Sequence, residues 1–64
     1  MNCYPNRAAA INSELIPLLG DDSHSYDITE LADRTLDWIP DGYGMAYFLN
    51  PGVDFWAEAA ACRI

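Results

Sequence analysis

The stretch Asp27–Asp41, DITELADRTLDWIPD, decides the fold that this sequence predicts. Asp27 is a suitable N-cap because its carboxylate accepts hydrogen bonds from the free backbone N–H groups of a first helical turn. Glu30 follows three residues later and completes a capping box. Pro40 ends the helix about two residues earlier, since the residue before a proline avoids the helical conformation. The stretch therefore predicts a capped helix over 27–38.

This helix has one apolar face and one acidic face on a wheel of about 100° per residue. The apolar face consists of Ile28, Leu31, Ala32, Thr35, Leu36, Trp38 and Ile39. The acidic face is a stripe of Asp27, Glu30, Asp33 and Asp37, with Asp41 just beyond the helix end. Their spacing places the carboxylates about 4.5–6 Å apart along the axis. We expect the apolar face to pack against the rest of the chain and the acidic face to meet a partner.

Local structure explains part of the acidic face. Glu30 serves the capping box and also pairs favourably with Arg34 four residues later. Asp37 has no such explanation, because the helix dipole disfavours an anion in the last turn and Asp33 is a like charge one turn away. The hypothesis of a binding surface therefore rests first on Asp33, Asp37 and Asp41.

The rest of the chain predicts a mainly helical α+β fold. Asn6 caps a helix over about 7–19 that Pro17 should kink. The apolar run 45–49, MAYFL, predicts a short buried strand. The alanine-rich end of the chain favours a C-terminal helix over 53–63.

Two points stay open in this fold. The alternative to the last helix is a C-terminal β-hairpin, in which the end of the chain pairs with 45–49 across Asn50–Val53. If the end is helical, the strand needs another mate. The candidates are the N-terminal arm, the region 41–44, or the same strand of a second copy, which would make a homodimer.

Length and charge limit the function. Sixty-four residues predict a single domain over 1–64 with a small core. Ten acidic residues against three arginines give a net charge of −7. This balance argues against binding nucleic acid or an anionic membrane directly through a basic patch. The first residues lack the apolar segment of a signal peptide and no run approaches a membrane span, which predicts a cytoplasmic protein.

The sequence predicts no catalytic, metal or cofactor site. The loop 21–27, DDSHSYD, brings together acids, serines and the only histidine. A hydrolytic triad needs such groups from distant parts of the chain held in a pocket, and the spacing is not that of a calcium loop. The two cysteines, Cys3 and Cys62, with one histidine do not make a structural zinc site, and we expect both to be buried and reduced.

One segment resembles the acyl-carrier proteins. Leu19-Gly20-Asp21-Asp22-Ser23 is similar to their LGxDS-type motif, which precedes an acidic helix. The resemblance implies that Ser23 carries phosphopantetheine and that the acidic helix meets basic partner enzymes. The chain departs from the pattern at His24, where an aliphatic residue is expected.

In size, charge and lack of catalytic residues the chain resembles a class of small acidic phage inhibitors, the anti-CRISPR and anti-restriction DNA mimics. The resemblance implies a non-enzymatic inhibitor whose carboxylates stand in for phosphates on the basic, nucleic-acid-binding surface of a host defence protein. Further acids would add to the stripe: Asp21, Asp22, Asp54 and Glu58. The alternative is a protein-interaction module, such as an antitoxin or a small dimeric assembly subunit, in which apolar contacts matter more than charge.

The aromatic residues divide into two predicted groups. Four are expected in the core: Trp38, Phe48, Phe55 and Trp56. Tyr43 and Tyr47 flank the glycine-rich turn, and tyrosine is common at the rim of protein interfaces. We expect these two to contact a partner.

Overall fold

A computed structural model describes residues 2–42 and 44–64 of the chain. It confirms a mixed α+β fold with a long N-terminal helix, a two-stranded antiparallel hairpin and a C-terminal helix. The elements in chain order are α1 (Arg7–Ala10), a π-helical segment (Ile11–Leu15), α2 (Ile16–Leu19), a 3₁₀ segment (Gly20–Ser25), α3 (Ile28–Thr35), β1 (Leu36–Asp41), β2 (Gly44–Leu49) and α4 (Phe55–Ala61).

The predicted N-terminal helix over 7–19 is continuous, but its middle is π-helical. Asn6 is the N-cap, and its Oδ1 accepts a hydrogen bond from the Ala9 N–H at 2.8 Å. Pro17 has no N–H to give to an α-helical ladder. The chain forms the wider Ile11–Leu15 segment just before it, where the Ile16 N–H reaches back five residues to the Ile11 carbonyl. A π segment is thus the form that the predicted irregularity near Pro17 takes.

The capped helix begins as predicted but ends earlier. The Oδ1 of Asp27 accepts from the Glu30 N–H at 3.2 Å. Our prediction that the helix continues to residue 38 was wrong, because α3 ends at Thr35. The Thr35 hydroxyl donates to the Leu31 carbonyl at 2.7 Å, and the Thr35 carbonyl accepts from the Asn50 N–H at 2.9 Å. The second contact ties the helix end to the residue that follows β2, and Leu36 already has extended backbone angles.

The residues after α3 form the first arm of a hairpin. β1 pairs with β2 from Leu36 opposite Leu49 to Asp41 opposite Gly44. The predicted strand 45–49 is confirmed with one added residue. Its main partner is the segment 36–41, the first half of which we had predicted to be helical.

The N-terminal arm pairs with the other edge of β2. Tyr4 and Tyr47 exchange two backbone hydrogen bonds, each of 2.8 Å. The N-terminal arm, one of the three candidate pairing partners from the sequence, is therefore a second partner of β2.

The alternative C-terminal hairpin was wrong, since α4 occupies Phe55–Ala61, within the predicted 53–63. Asp54 is its N-cap and accepts from the Ala57 N–H at 3.3 Å. The alanine run forms a helix because alanine has the best helix propensity and a poor strand propensity.

A small core joins the three helical regions. Its buried cluster is Leu15, Leu19, Leu31, Ala32, Ala59 and Cys62. The wheel of the capped helix predicted the burial of Leu31 and Ala32 correctly. Cys62 and Cys3 are both free thiols, but only Cys62 is buried, so the expected burial of Cys3 was wrong. Burial raises the pKa of the Cys62 thiol.

Both tryptophans lie outside the core, which corrects our prediction. Trp38 is 50% exposed and Trp56 is 56% exposed, whereas Phe48 and Phe55 are half-buried. Trp38 leaves the core because it belongs to the projecting hairpin rather than to a helix. Within 2–42 and 44–64, no helix has the length and apolar character needed to cross a membrane.

Candidate protein-binding surface

Asp33 is held by an arginine from the N-terminal helix. The Nη1 of Arg7 lies 2.6 Å from the Asp33 Oδ1, and the Arg7 Nη2 donates to the Thr29 carbonyl at 2.7 Å. Arg7 therefore contacts both ends of the exposed side of α3. We had predicted Asp33 as an acid without a local role, and this contact supplies one.

Arg34 joins two further predicted site residues. Its Nε lies 3.1 Å from the Glu30 Oε1, and its Nη1 lies 3.2 Å from the Glu58 Oε2 on α4. The hydrogen bonds to Glu58 and then Glu30 raise the pKa of the Arg34 guanidinium. The predicted Glu30–Arg34 pair is present, and the Glu58 contact links α3 to α4 across the surface.

Asp37 and Asp41 lie on β1, so the predicted helical stripe does not form. Both are exposed. Four residues of strand separate their Cα atoms by about 13 Å, compared with about 6 Å in a helix. Because side chains alternate between faces, the two acids share one face of the hairpin with Ile39 between them. No arginine forms an ion pair with either acid among the described residues.

The remaining predicted acids lie elsewhere. Asp21 and Asp22 are exposed in the 3₁₀ segment, and Ser23 follows them there. Asp54 is engaged as the N-cap of α4. No group of three or more His, Cys, Asp and Glu side chains in the described parts of the chain is arranged to hold a metal ion.

The two predicted tyrosines have different outcomes. Tyr47 is half-buried in β2, opposite Trp38 on one side and bonded to Tyr4 on the other. Tyr43 lies outside the residues that the structure describes. Sequence reasoning missed the exposed apolar residues near Tyr47 on the hairpin.

Large apolar side chains are exposed on both faces of the hairpin. Trp38 and Met45 lie on one face at 50% and 38% exposure, and Ile39 lies on the other at 51%. The face that carries both Trp38 and Met45 is the candidate contact surface, because neighbouring exposed apolar groups favour a partner more than a single one does. Pro40 disfavours the helical conformation at Ile39, but this local signal does not reveal that the strand already begins at Leu36.

An open groove lies beside the segment that joins β2 to α4. Its volume is about 590 Å³, and it is lined by Asn2, Glu14, Leu49, Asn50, Pro51, Val53 and Phe55. The Tyr4 hydroxyl donates to the Glu14 Oε1 at 2.7 Å, and this contact raises the pKa of the Tyr4 phenol. The carboxylate of Glu14 is thus already used to hold the N-terminal arm in place.

Comparison with known proteins adds no relative to this picture: no family model, curated protein or solved structure matches the chain. The function has to be argued from the hairpin surface and the charge distribution.

Proposed function

We propose that this protein is a non-enzymatic acidic inhibitor that binds the basic, nucleic-acid-binding surface of another protein in place of nucleic acid. In this it resembles the anti-CRISPR class of DNA mimics, and its target would be a host defence complex in the cytoplasm. It would not bind nucleic acid itself, because it carries ten acids and three arginines.

One observation carries the proposal. Arginines tie down Asp33, Glu30 and Glu58, whereas Asp37 and Asp41 project from the hairpin with no arginine partner in the ion pairs of the described residues. An acid that already forms an ion pair with an arginine attracts a partner's cations less than an unpaired acid does. Water and salt weaken what attraction remains at an exposed pair. The hairpin acids have no such ion pair among the described residues and are exposed.

The test is capture of a basic protein from nuclease-treated host lysate, followed by measurement of its affinity at two salt concentrations. We expect binding to weaken steeply with salt and to be displaced by double-stranded DNA. Asp37→Asn together with Asp41→Asn should weaken binding about tenfold or more, because both charges face the partner.

The matched control is Asp33→Asn together with Glu58→Gln. It changes the net charge by the same amount at acids that arginines already neutralise, and we expect it to change the affinity less than threefold, or about 0.6 kcal/mol. Equal effects of the two double variants would show that only net charge matters. Binding that ignores salt and DNA would contradict the proposal.

A second candidate is an interaction module of another kind, such as an antitoxin or a small dimeric subunit. The exposed Trp38, Ile39 and Met45 favour it. In that case an Ile39→Ala variant should weaken binding more than the double variant of the hairpin acids, and salt should have little effect.

A further inference from the structure

The hydrogen bonds of β2 fix the orientation of the β1 backbone. The N–H and C=O groups of Tyr47 both point to Tyr4, and therefore away from β1. In an antiparallel pair, two directly opposite residues either both direct their N–H and C=O groups at each other or both direct them away. Trp38 is opposite Tyr47, so the N–H and C=O groups of Trp38 face away from β2. The Asn50–Thr35 hydrogen bond follows the same alternation. Leu36, Trp38 and Pro40 are therefore the residues whose backbone faces the free edge of the sheet.

None of these three residues offers a free backbone N–H to a partner. The Leu36 N–H already donates to the Ala32 carbonyl. The Trp38 N–H donates to the carboxylate of Asp37 at 2.9 Å. Pro40 has no N–H. The outward carbonyl oxygens of the same three residues bond to no donor in the part of the chain that the structure describes.

An edge that only accepts hydrogen bonds selects its partner. A strand added along it would bring its own carbonyl groups opposite positions that have no donor, and a buried carbonyl left without a donor is costly. The side chains of arginine and lysine carry several donors and no acceptor, so they match such an edge fully. A cationic protein surface is thus a better occupant than a second copy that pairs by strand addition.

The ring of Trp38 distinguishes between the two cations. It is half exposed at the centre of this edge. A tryptophan face attracts cations, and a planar guanidinium also stacks on it, whereas an ammonium does not. The carboxylates of Asp37 and Asp41 lie on the opposite face of the same strand and add attraction at the edge for either cation.

We infer that the acceptor edge, defined as the outward backbone of Leu36, Trp38 and Pro40 with the Trp38 ring, binds arginine side chains of the partner protein. This inference rests on the proposed function and specifies the chemistry that the partner must present. Guanidinium groups donate to the three carbonyl oxygens while one of them lies over the tryptophan. Asp37 has two roles here. Its carboxylate accepts the hydrogen bond from the Trp38 N–H, and its charge attracts the cation.

The experiment titrates the full ¹⁵N-labelled chain with an octa-arginine peptide and with an octa-lysine peptide of equal charge. We expect the arginine peptide to bind about fivefold or more tightly. It should shift the Trp38 indole N–H and the amides of 36–41, and leave the indole N–H of Trp56 in place.

Variants at the two tryptophans distinguish binding at the acceptor edge from binding through general charge attraction. Trp38→Leu should reduce the preference for arginine to about twofold or less, while Trp38→Phe should keep part of it. Trp56→Leu is the matched control, since it removes an equally exposed tryptophan from α4, and it should leave the preference unchanged. The dispersion of the other amide signals verifies that each variant is folded.

The outcomes separate this inference from the proposed function. Salt-dependent binding that is equal for the two peptides and insensitive to Trp38→Leu overturns the acceptor edge and leaves the inhibitor proposal standing. A dimer that forms on concentration and shifts the 36–41 amides overturns it in favour of a second copy. If double-stranded DNA also fails to displace the protein from the captured target, the proposed function is overturned as well.

Discussion

The helical part of the molecule and its hairpin differ in how they use their side chains. In the helical part, Leu15 and Leu31 are fully buried, and arginines hold the acids of α3 and α4. In the hairpin, Trp38 and Ile39 are half exposed, and the acids have no arginine partner among the described residues. The hairpin is joined to the rest through Leu36, Leu49 and the Tyr4 bridge.

The difference indicates that the two parts contribute unequally to the stability of the fold. A chain of this length has a free energy of unfolding of only about 3–10 kcal/mol. The helical part uses its apolar groups to supply that stability. The hairpin leaves apolar groups and charges in solvent, which contributes little to folding, and the proposed function assigns these groups to the partner contact. The comparison predicts that substitutions in the two parts have opposite consequences for stability and binding.

The largest expected effect is from Leu31→Ala. This leucine has no exposed surface at the centre of the core, and a buried leucine cut to alanine costs about 2–5 kcal/mol. Ile39→Ala, at a half-exposed position of the hairpin, should cost less than about 1 kcal/mol. Urea unfolding followed by circular dichroism measures both. Equal losses would mean that the hairpin belongs to the stabilising core after all.

A smaller effect is expected at the N-cap of α3. Asp27→Ala removes the acceptor for the Glu30 N–H and should lower the free energy of unfolding by about 1 kcal/mol. Asp41→Ala removes the same charge from the end of β1, and we expect a change within about 0.5 kcal/mol. The midpoint of urea unfolding compares the two, while the same proteins tested for target binding should rank in the reverse order.

The smallest effect concerns the arm that joins the two parts, and it depends on pH. The Glu14 carboxylate raises the pKa of Tyr4 in the folded protein above its ordinary value of 10.0. A group with a raised folded pKa contributes fully below its unfolded pKa, and the contribution is lost as the pH rises through the folded pKa.

The wild-type protein should therefore lose stability above about pH 10 through this contact. Tyr4→Phe keeps the backbone bridge to Tyr47 but has no phenol, so its stability should fall less over the same range. Urea unfolding at neutral and alkaline pH tests this. Parallel curves for the two proteins would show that the hydroxyl contact does not help to hold the arm.

Local signals predicted most of the helical part. The caps Asn6 and Asp27 have side chains that bond the backbone three residues on, so their effect is contained in a few neighbouring residues. Leu31 and Ala32 were found from helical periodicity alone. The π-helical segment was foreseen only as a disturbance caused by Pro17.

The end of α3 could not be predicted in the same way. Leu36, Trp38 and Ile39 continue the apolar face of a helix as well as they fit a strand. What decides between them is pairing with β2, which depends on residues seven to thirteen positions away. Once the segment becomes a strand, alternation rather than helical periodicity determines which side chains lie together.

The prediction of the candidate site was affected by the wrong helix end and by ion pairs with arginine that the sequence did not reveal. Treating 27–38 as one helix put Asp33 and Asp37 on a common stripe, but they belong to different elements. The partner of Asp33 is Arg7, which lies 26 positions earlier, and no periodicity links the two. Sequence reasoning named Asp37 and Asp41 as candidate site residues, but only the structure places them on a hairpin beside exposed apolar side chains.

The π-helical segment has a consequence for changes in chain length. Ala10 and Leu15 are both buried although they are five residues apart, a spacing that a plain α-helix would place about 140° apart. The segment thus behaves as a one-residue insertion absorbed within the helix. A chain one residue shorter here would keep both residues on one face as an ordinary α-helix, but the Pro17 ring would then meet the carbonyl one turn earlier. Loss of that residue and replacement of Pro17 are therefore expected to occur together.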